Sequence, residues 1–217
     1  MKLVVFDVDG TLIDSQQLIV GAMDAAFDSV GLPPAGRERV LSIVGLSLDV
    51  AVERLLPDTA LSQRDAAVDA YRQAFLTRRI VEEAPLYEGA RACLDALLPR
   101  EDLLLGVATG KSRRGLDAML DHHALRGHFV SLRTADTHPS KPHPEMLLAA
   151  CADAGVDPRD AIMIGDTEFD MEMARAAGTA AIGVAWGYHP PQSLRAMNVP
   201  VAPDFGTLAK MIGEWAE

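Results

Sequence analysis

A chain of 217 residues that is 49% hydrophobic and 24% charged has enough apolar material for one well-filled core and a smaller appended unit, which excludes a disordered or fibrous protein. Its formal net charge of −11 speaks against a duplex nucleic-acid partner, because grip on a phosphate backbone needs clustered Lys and Arg that are lacking here. The two cysteines, Cys93 and Cys151, sit in apolar helical patterns, and no apolar run approaches the ~18 residues of a membrane span, so a cytoplasmic enzyme with no leader, disulfide framework or thiolate metal site is expected.

The first element is a strand. Residues 3–6, LVVF, form a continuous apolar run of the kind buried on both faces of a parallel sheet, and it leads directly into Asp7, Val8, Asp9, Gly10 and Thr11. Two carboxylates at a strand mouth repel each other unless a positive group is shared between them. From residue 15 the period changes. Ile19, Ala22, Met23, Ala26, Phe27 and Val30 recur at helical spacing, with Asp14 or Ser15 as N-cap and Gly31 plus two prolines as the stop. Helical patterns also fill residues 47–56 and 62–82, and nothing strand-like occurs between 15 and 100, so this stretch reads as an all-helical insert.

Beyond the insert, strands and helices alternate. Strands are expected at 103–108, 129–132, 161–164 and 180–184, and helices at 112–121, at 146–154 ending in Gly155, and at 168–177 ending in Gly178. The fold class is therefore α/β: a Rossmann-like parallel sheet with helices on both faces, plus a small all-helical unit. In such sheets ligands bind beyond the carboxyl ends of the strands. Asp7 and Asp9, then Thr109, Gly110 and Lys111, then Gly165, Asp166 and Asp170 all follow strands, while Lys141 lies in the loop THPSKPHPE. Several carboxylates, one lysine and one small hydroxyl on a single edge suit a phosphoryl-transfer site holding Mg²⁺, a hard cation that takes oxygen ligands.

The stretch GVATGKS comes close to a nucleotide phosphate-binding loop, but its first glycine would have to be residue 105, which is leucine. Lys111 thus reads as a helix-start residue beside the site rather than a phosphate ligand. His122, His123 and His128 do not share a helix face and suggest no metal site. His143 reads as a capping or solvent-facing residue, and Trp186 either lines the rim of the site with Tyr188 or packs in the core.

The segments DVDGTLIDS, GVATGKS, SKPHPE and IGDTEFDMEMARAAG resemble, in order and spacing, the four motifs of the haloacid dehalogenase-like (HAD) phosphatases, over residues 1 to about 185. The resemblance implies that Asp7 is the nucleophile that becomes an aspartyl phosphate and that Asp9 is the general acid and base. Thr109, Gly110 and Lys141 would bind the phosphoryl group, and Mg²⁺ would be held by Asp7, Asp166 and the Asp9 backbone carbonyl. Gly10 would allow close approach of backbone to phosphate, and Asp170 would orient a metal-bound water or pair with Lys141.

The helical insert resembles the cap of phosphoglycolate-phosphatase-like members, giving a core of 1–14 and 84–217 and a cap of 15–83, with Gly45, Ser47 and Arg54 as candidate cap residues near the ligand. The expected activity is Mg²⁺-dependent hydrolysis of a small organic phosphate, phosphoglycolate foremost, by a monomer or dimer without a nucleic-acid or membrane partner. Pyrophosphate or nucleotide hydrolysis, phosphotransfer or mutase activity, and a non-enzymatic phospho-acceptor module are the alternatives. No lysine occurs between Lys2 and Lys111, which departs from the cap pattern of sugar-phosphate mutases.

Overall fold

The computed structural model describes residues 1–81 and 84–217. Six parallel strands, β1 (Lys2–Phe6), β2 (Leu103–Thr109), β3 (Ser131–Thr134), β4 (Ala161–Gly165), β5 (Ala180–Val184) and β6 (Val201–Ala202), form one sheet in the order β3-β2-β1-β4-β5-β6. Successive strands are added to one side of β1 up to β3 and to its other side from β4 onward, so the switch point at which α/β sheets open a crevice lies beside β1.

Alternation along the strands sorts the core. Val4, Phe6, Leu105, Val107, Ile162 and Ile164 pack with α5 (Ala90–Leu97), α6 (Arg113–His122) and α10 (Phe205–Ala216) on one face. Leu3, Val5, Ala161 and Met163 pack with α7 (Glu145–Ala154) and α8 (Glu168–Ala177) on the other. This is the two-sided burial that a continuous apolar run requires.

A third apolar cluster lies apart from the sheet. It joins Met23 and Phe27 of α1 (Gln16–Ser29), Val40 of α2 (Arg37–Leu41), Val52 and Leu55 of α3 (Leu48–Leu55) and Val68 of α4 (Arg64–Val81). Phe75 of α4 packs against both this cluster and the sheet's. The end of the 62–82 pattern and the expected boundary at 83 lie outside the described residues.

Four details differ from the sequence reading. The strand expected at 129–132 runs from Ser131 to Thr134, because Phe129 is buried in the core while Ser131–Thr134 pair in register with Gly106–Thr109. The sheet gains β6, whose two residues are too short for periodicity to register. Helices α2, α5, α9 (Pro191–Ala196) and α10 also extend the expected set. Ser15 occupies the N-cap position of α1 but caps nothing with its side chain, which is turned toward Asp9.

Candidate active site

Strand register builds the site. Phe6 pairs with Val107 on one side and Ile164 on the other, so Asp7, Thr109 and Asp166 emerge together, and the Asp7 amide donates to the Ile164 carbonyl at 2.9 Å. Lys141 arrives from the loop between β3 and α7, and Asp170 from the first turn of α8. Each of Asp7, Thr109, Lys141, Asp166 and Asp170 is at most 1% exposed.

The Lys141 ammonium lies 3.0 Å from Asp7 Oδ1 and donates to Asp170 Oδ1 at 2.6 Å. Asp170 Oδ2 meanwhile accepts from the Thr167 amide and hydroxyl, at 3.1 and 2.6 Å, completing a capping box that fixes the start of α8. One carboxylate thus anchors a helix and a buried lysine together. Asp166 is held by the Thr11 hydroxyl at 2.9 Å on Oδ1 and by the Tyr188 amide at 2.8 Å on Oδ2. By contrast, neither oxygen of Asp7 receives an aligned hydrogen bond.

Ligand oxygens of Asp7, Asp166 and Asp170 lie within 4.8 Å of one another. Three buried carboxylates against one ammonium leave two formal negative charges without a partner, which fits a divalent cation, since buried charge is tolerated only when paired or ligating a metal. Without such a cation, burial raises the Asp7 pKa to about 7, against the pull of Lys141 and with the push of Asp170. Burial, then the charges of Asp170 and Asp7, likewise lift Asp166 well above the usual carboxylate range. Burial opposes the charge on Lys141, but Asp170 and Asp7 outweigh it and raise its pKa.

Asp9 stands apart from this cluster. Its Oδ1 accepts from the Ser15 hydroxyl at 2.6 Å and from the Lys111 ammonium at 2.9 Å, and no hydrogen bond from the described residues reaches Oδ2. The Tyr188 hydroxyl accepts from the Ser15 amide at 2.9 Å and lies 3.1 Å from its Oγ, bracing Ser15. The Thr109 hydroxyl accepts from the Lys111 amide at 3.2 Å, which leaves its own proton free to point outward.

Two glycines permit this crowding. Gly10 has φ +84°, and a Cβ there would lie 2.3 Å from Asp166 Oδ2. A Cβ on Gly110 would lie 2.5 and 2.6 Å from the carbonyl oxygens of Leu46 and Gly45, so the helical insert sits directly on this turn.

Residues 4–184 match the model of a family described as haloacid dehalogenase-like hydrolase. The chain belongs to that family. It is 36% identical over 215 residues to the protein named "Probable phosphatase IndB" of Dickeya dadantii, covering 97% of this chain and 92% of the relative. It is 35% identical over 201 residues to the phosphoglycolate phosphatase of Chromobacterium violaceum, covering 90% of each. The crystal structure of a "predicted phosphatase" from Clostridium acetobutylicum superposes with a TM-score of 0.87 at 25% identity, covering 98% of both chains. This HAD-like chain is accordingly an enzyme, a hydrolase of the phosphatase type.

In this HAD-like hydrolase the structure brings Asp7, Thr109, Lys141, Asp166 and Asp170 together and corrects the expectation for Arg54. The Asp9 carboxylate lies outside the acidic cluster, which is compatible with the expectation that only its backbone carbonyl would face a cation. Arg54 is not on the cavity wall: its guanidinium lies over the Phe169 ring at 5.5 Å, while Gly45 and Ser47 do line the cavity. Of the two alternatives for Trp186 the structure takes core packing: the ring lies 4.4 Å from that of Phe205 and its indole N–H donates to the Thr11 carbonyl at 3.0 Å, while Tyr188 reaches the site.

His143 is exposed and accepts from the Glu145 amide, and His128 faces Asp95 at 2.8 Å. The sequence reading gives Thr11 and Thr167 no role, gives Ser15 only that of a candidate N-cap, and undervalues Lys111. Only Thr167 carried a signal, the spacing Thr-x-x-Asp of a capping box.

Proposed function

We propose that this hydrolase releases phosphate from small phosphate monoesters through an aspartyl phosphate on Asp7, with Mg²⁺ as its cation. Asp7 carries this reading: a buried carboxylate, on the cavity wall, whose oxygens are left without aligned donors beside Lys141 and Asp166. Mg²⁺ held by Asp7, Asp166 and the Asp9 carbonyl would neutralise the buried carboxylates and the phosphoryl charge.

Asp7 attacks phosphorus, the bond from phosphorus to the ester oxygen breaks, and that oxygen takes a proton from Asp9 Oδ2, the oxygen left open by Ser15 and Lys111. In the second half Asp9 recovers a proton from water, whose oxygen attacks phosphorus and breaks its bond to Asp7. Inorganic phosphate leaves and both carboxylates return to their starting states. Acid–base help of this kind contributes about 10² to 10⁴ in rate.

The Thr109 hydroxyl and Gly110 amide hold phosphoryl oxygens, and Lys141 offsets their growing charge in the transition state. Asp170 positions Lys141, and Gly10 lets the backbone approach. Residues 15–83 serve as a cap that shields the acyl phosphate from bulk water. Phosphoglycolate, named for relatives such as that of C. violaceum, is the reference ester. The lack of lysine between Lys2 and Lys111 disfavours a mutase, and a cytoplasmic location suits a small-molecule substrate.

The test is phosphate release from a panel of phosphoglycolate, pyrophosphate, sugar phosphates and nucleotides, with Mg²⁺ and with chelator, for wild type and Asp7→Asn. Release that needs Mg²⁺ and Asp7 supports the reading. No release from any ester, with acetyl phosphate still labelling Asp7, would replace it with a phosphotransferase or phospho-acceptor.

A further inference from the structure

The space above Asp7 is larger and less polar than the phosphate end requires. The cavity measures about 390 Å³, within the ~300–1,000 Å³ of pockets that enclose drug-sized ligands. At roughly 30 Å³ per water it has room for on the order of 13 waters. A phosphoryl group on a two-carbon acid would leave much of that space to solvent against an apolar wall, which includes Ile19, Met23, Leu46 and Leu76.

The same wall carries an aromatic pair. Tyr71 and Phe75 of α4 are stacked, with centroids 5.8 Å apart and planes 21° from parallel, and both line the cavity. The Tyr71 hydroxyl has no hydrogen-bond partner among the described residues; burial, then the charge of Asp9, raises its pKa, so at neutral pH it stands ready to donate.

The cations of the wall are disposed differently. The Lys111 ammonium is held by Asp9 at 2.9 Å and covers the Phe75 ring at 5.1 Å. Arg72 is half exposed and paired with Asp69 at 3.1 Å, and Arg114 is exposed on the first turn of α6. Among the described residues no unpaired buried cation waits on this wall for a second carboxylate beside the ester.

Resting on the phosphatase reading above, we propose that the preferred substrates are phosphate monoesters of ring-bearing alcohols about the size of a nucleoside. The ring lies along the Tyr71–Phe75 pair, a polar edge of it accepts from the Tyr71 hydroxyl, and the phosphoryl group rests on Asp7. The reaction is unchanged; the cavity selects the alcohol.

The probes are adenosine and uridine 5′-monophosphates against phosphoglycolate, assayed by phosphate release with wild type, Tyr71→Leu and Tyr71→Phe. At least one nucleotide is expected to exceed phosphoglycolate in kcat/KM by about tenfold. Tyr71→Leu should raise KM for the nucleotide roughly 5- to 150-fold, the range of base stacking on an aromatic side chain, and leave phosphoglycolate within about twofold, a selectivity that misfolding cannot imitate. Tyr71→Phe should cost the nucleotide about 2- to 10-fold.

Higher kcat/KM for phosphoglycolate than for either nucleotide, or equal losses on both kinds of ester in Tyr71→Leu, would overturn the proposal and leave the phosphatase reading standing. Calorimetric titration of Asp7→Asn with the same three esters reads the alcohol pocket without turnover. Tighter nucleotide binding that weakens when Tyr71→Leu is added supports the proposal. Nucleotide binding no tighter than that of phosphoglycolate overturns it, even if no ester is hydrolysed, an outcome that by itself defeats only the phosphatase reading.

Discussion

The two walls of the cavity are built on opposite principles. The sheet edge is charged and fixed: Lys141 is clamped between Asp7 and Asp170, Asp166 has a donor on each oxygen, and glycines let backbone and carboxylates touch. The helical wall is mostly apolar and carries the stacked Tyr71–Phe75 pair. A charged site in a low-dielectric setting performs only if its geometry is set before substrate arrives, whereas an apolar wall recognises shape and tolerates exchange. On the proposed reading chemistry belongs to the sheet edge and selectivity to the helices, so substitutions on the two sides should fail in different ways.

The largest effect should come from Asp7→Asn, which removes the proposed nucleophile and keeps the shape. Phosphate release should fall by roughly 10⁴-fold or more while thermal stability holds or rises, because a buried carboxylate without an aligned donor is lost. Residual activity near wild type in a phosphate-release assay would move the nucleophile elsewhere.

Lys141→Met comes next and should act on stability as well as rate. It leaves Asp7 and Asp170 facing each other unpaired, a loss of about 3–5 kcal/mol for a broken buried pair, read as a drop of at least about 6 °C in Tm by calorimetry. Adding Asp170→Asn should restore part of that loss. If the double variant is no more stable than the single, Asp170 is anchored by Thr167 alone and does not position the lysine.

The contrast between the walls also explains what could be read before the structure. The sheet edge was legible because its chemistry is local to strand ends: Asp7, Asp9, Thr109, Lys141, Asp166 and Asp170 each follow or precede an element that periodicity reveals. Elements with a strong period, such as α8 at 168–177 and β5 at 180–184, were located to the residue. Ser15 and Lys111 were not legible as partners of Asp9, since each also suits a bland local role, N-cap or helix start, and only the fold brings them to one oxygen. The cavity wall was the least legible, because Tyr71 and Phe75 at helical spacing look like any core face. Arg54 was misplaced for the same reason: helix spacing sets which face a residue shares but not which neighbour that face meets.

A smaller effect should come from the cation itself. If Asp7, Asp166 and the Asp9 carbonyl hold it, Mg²⁺ at about 100 times its Kd should stabilise the fold by about 2.7 kcal/mol, a rise of about 5–10 °C in Tm. Asp166→Asn should abolish that rise, while Tyr71→Leu on the opposite wall should keep it. A Mg²⁺ shift of equal size in Asp166→Asn would place the cation outside the sheet edge.

The smallest predicted effect probes a point where the two walls touch. A Cβ on Gly110 would meet the carbonyl oxygens of Leu46 and Gly45 at 2.5 and 2.6 Å, both of them backbone atoms that cannot rotate aside. The nearby link from the Ser47 amide to the Ser140 hydroxyl, 2.8 Å, holds the same stretch of the insert against the loop that carries Lys141. Gly110→Ala should therefore lift the insert by a fraction of an ångström without disturbing the carboxylates beneath. On the proposed reading closure of the insert contributes to binding, so kcat/KM should fall about tenfold, the equivalent of 1.4 kcal/mol, and the Mg²⁺-induced rise in Tm should be retained. If activity is untouched, the contact at Gly110 does not belong to the reacting arrangement and the insert closes along a different line. If the Mg²⁺ shift is lost together with activity, the two walls are not independent, and the division of labour between a fixed edge and an adaptable wall fails at its seam.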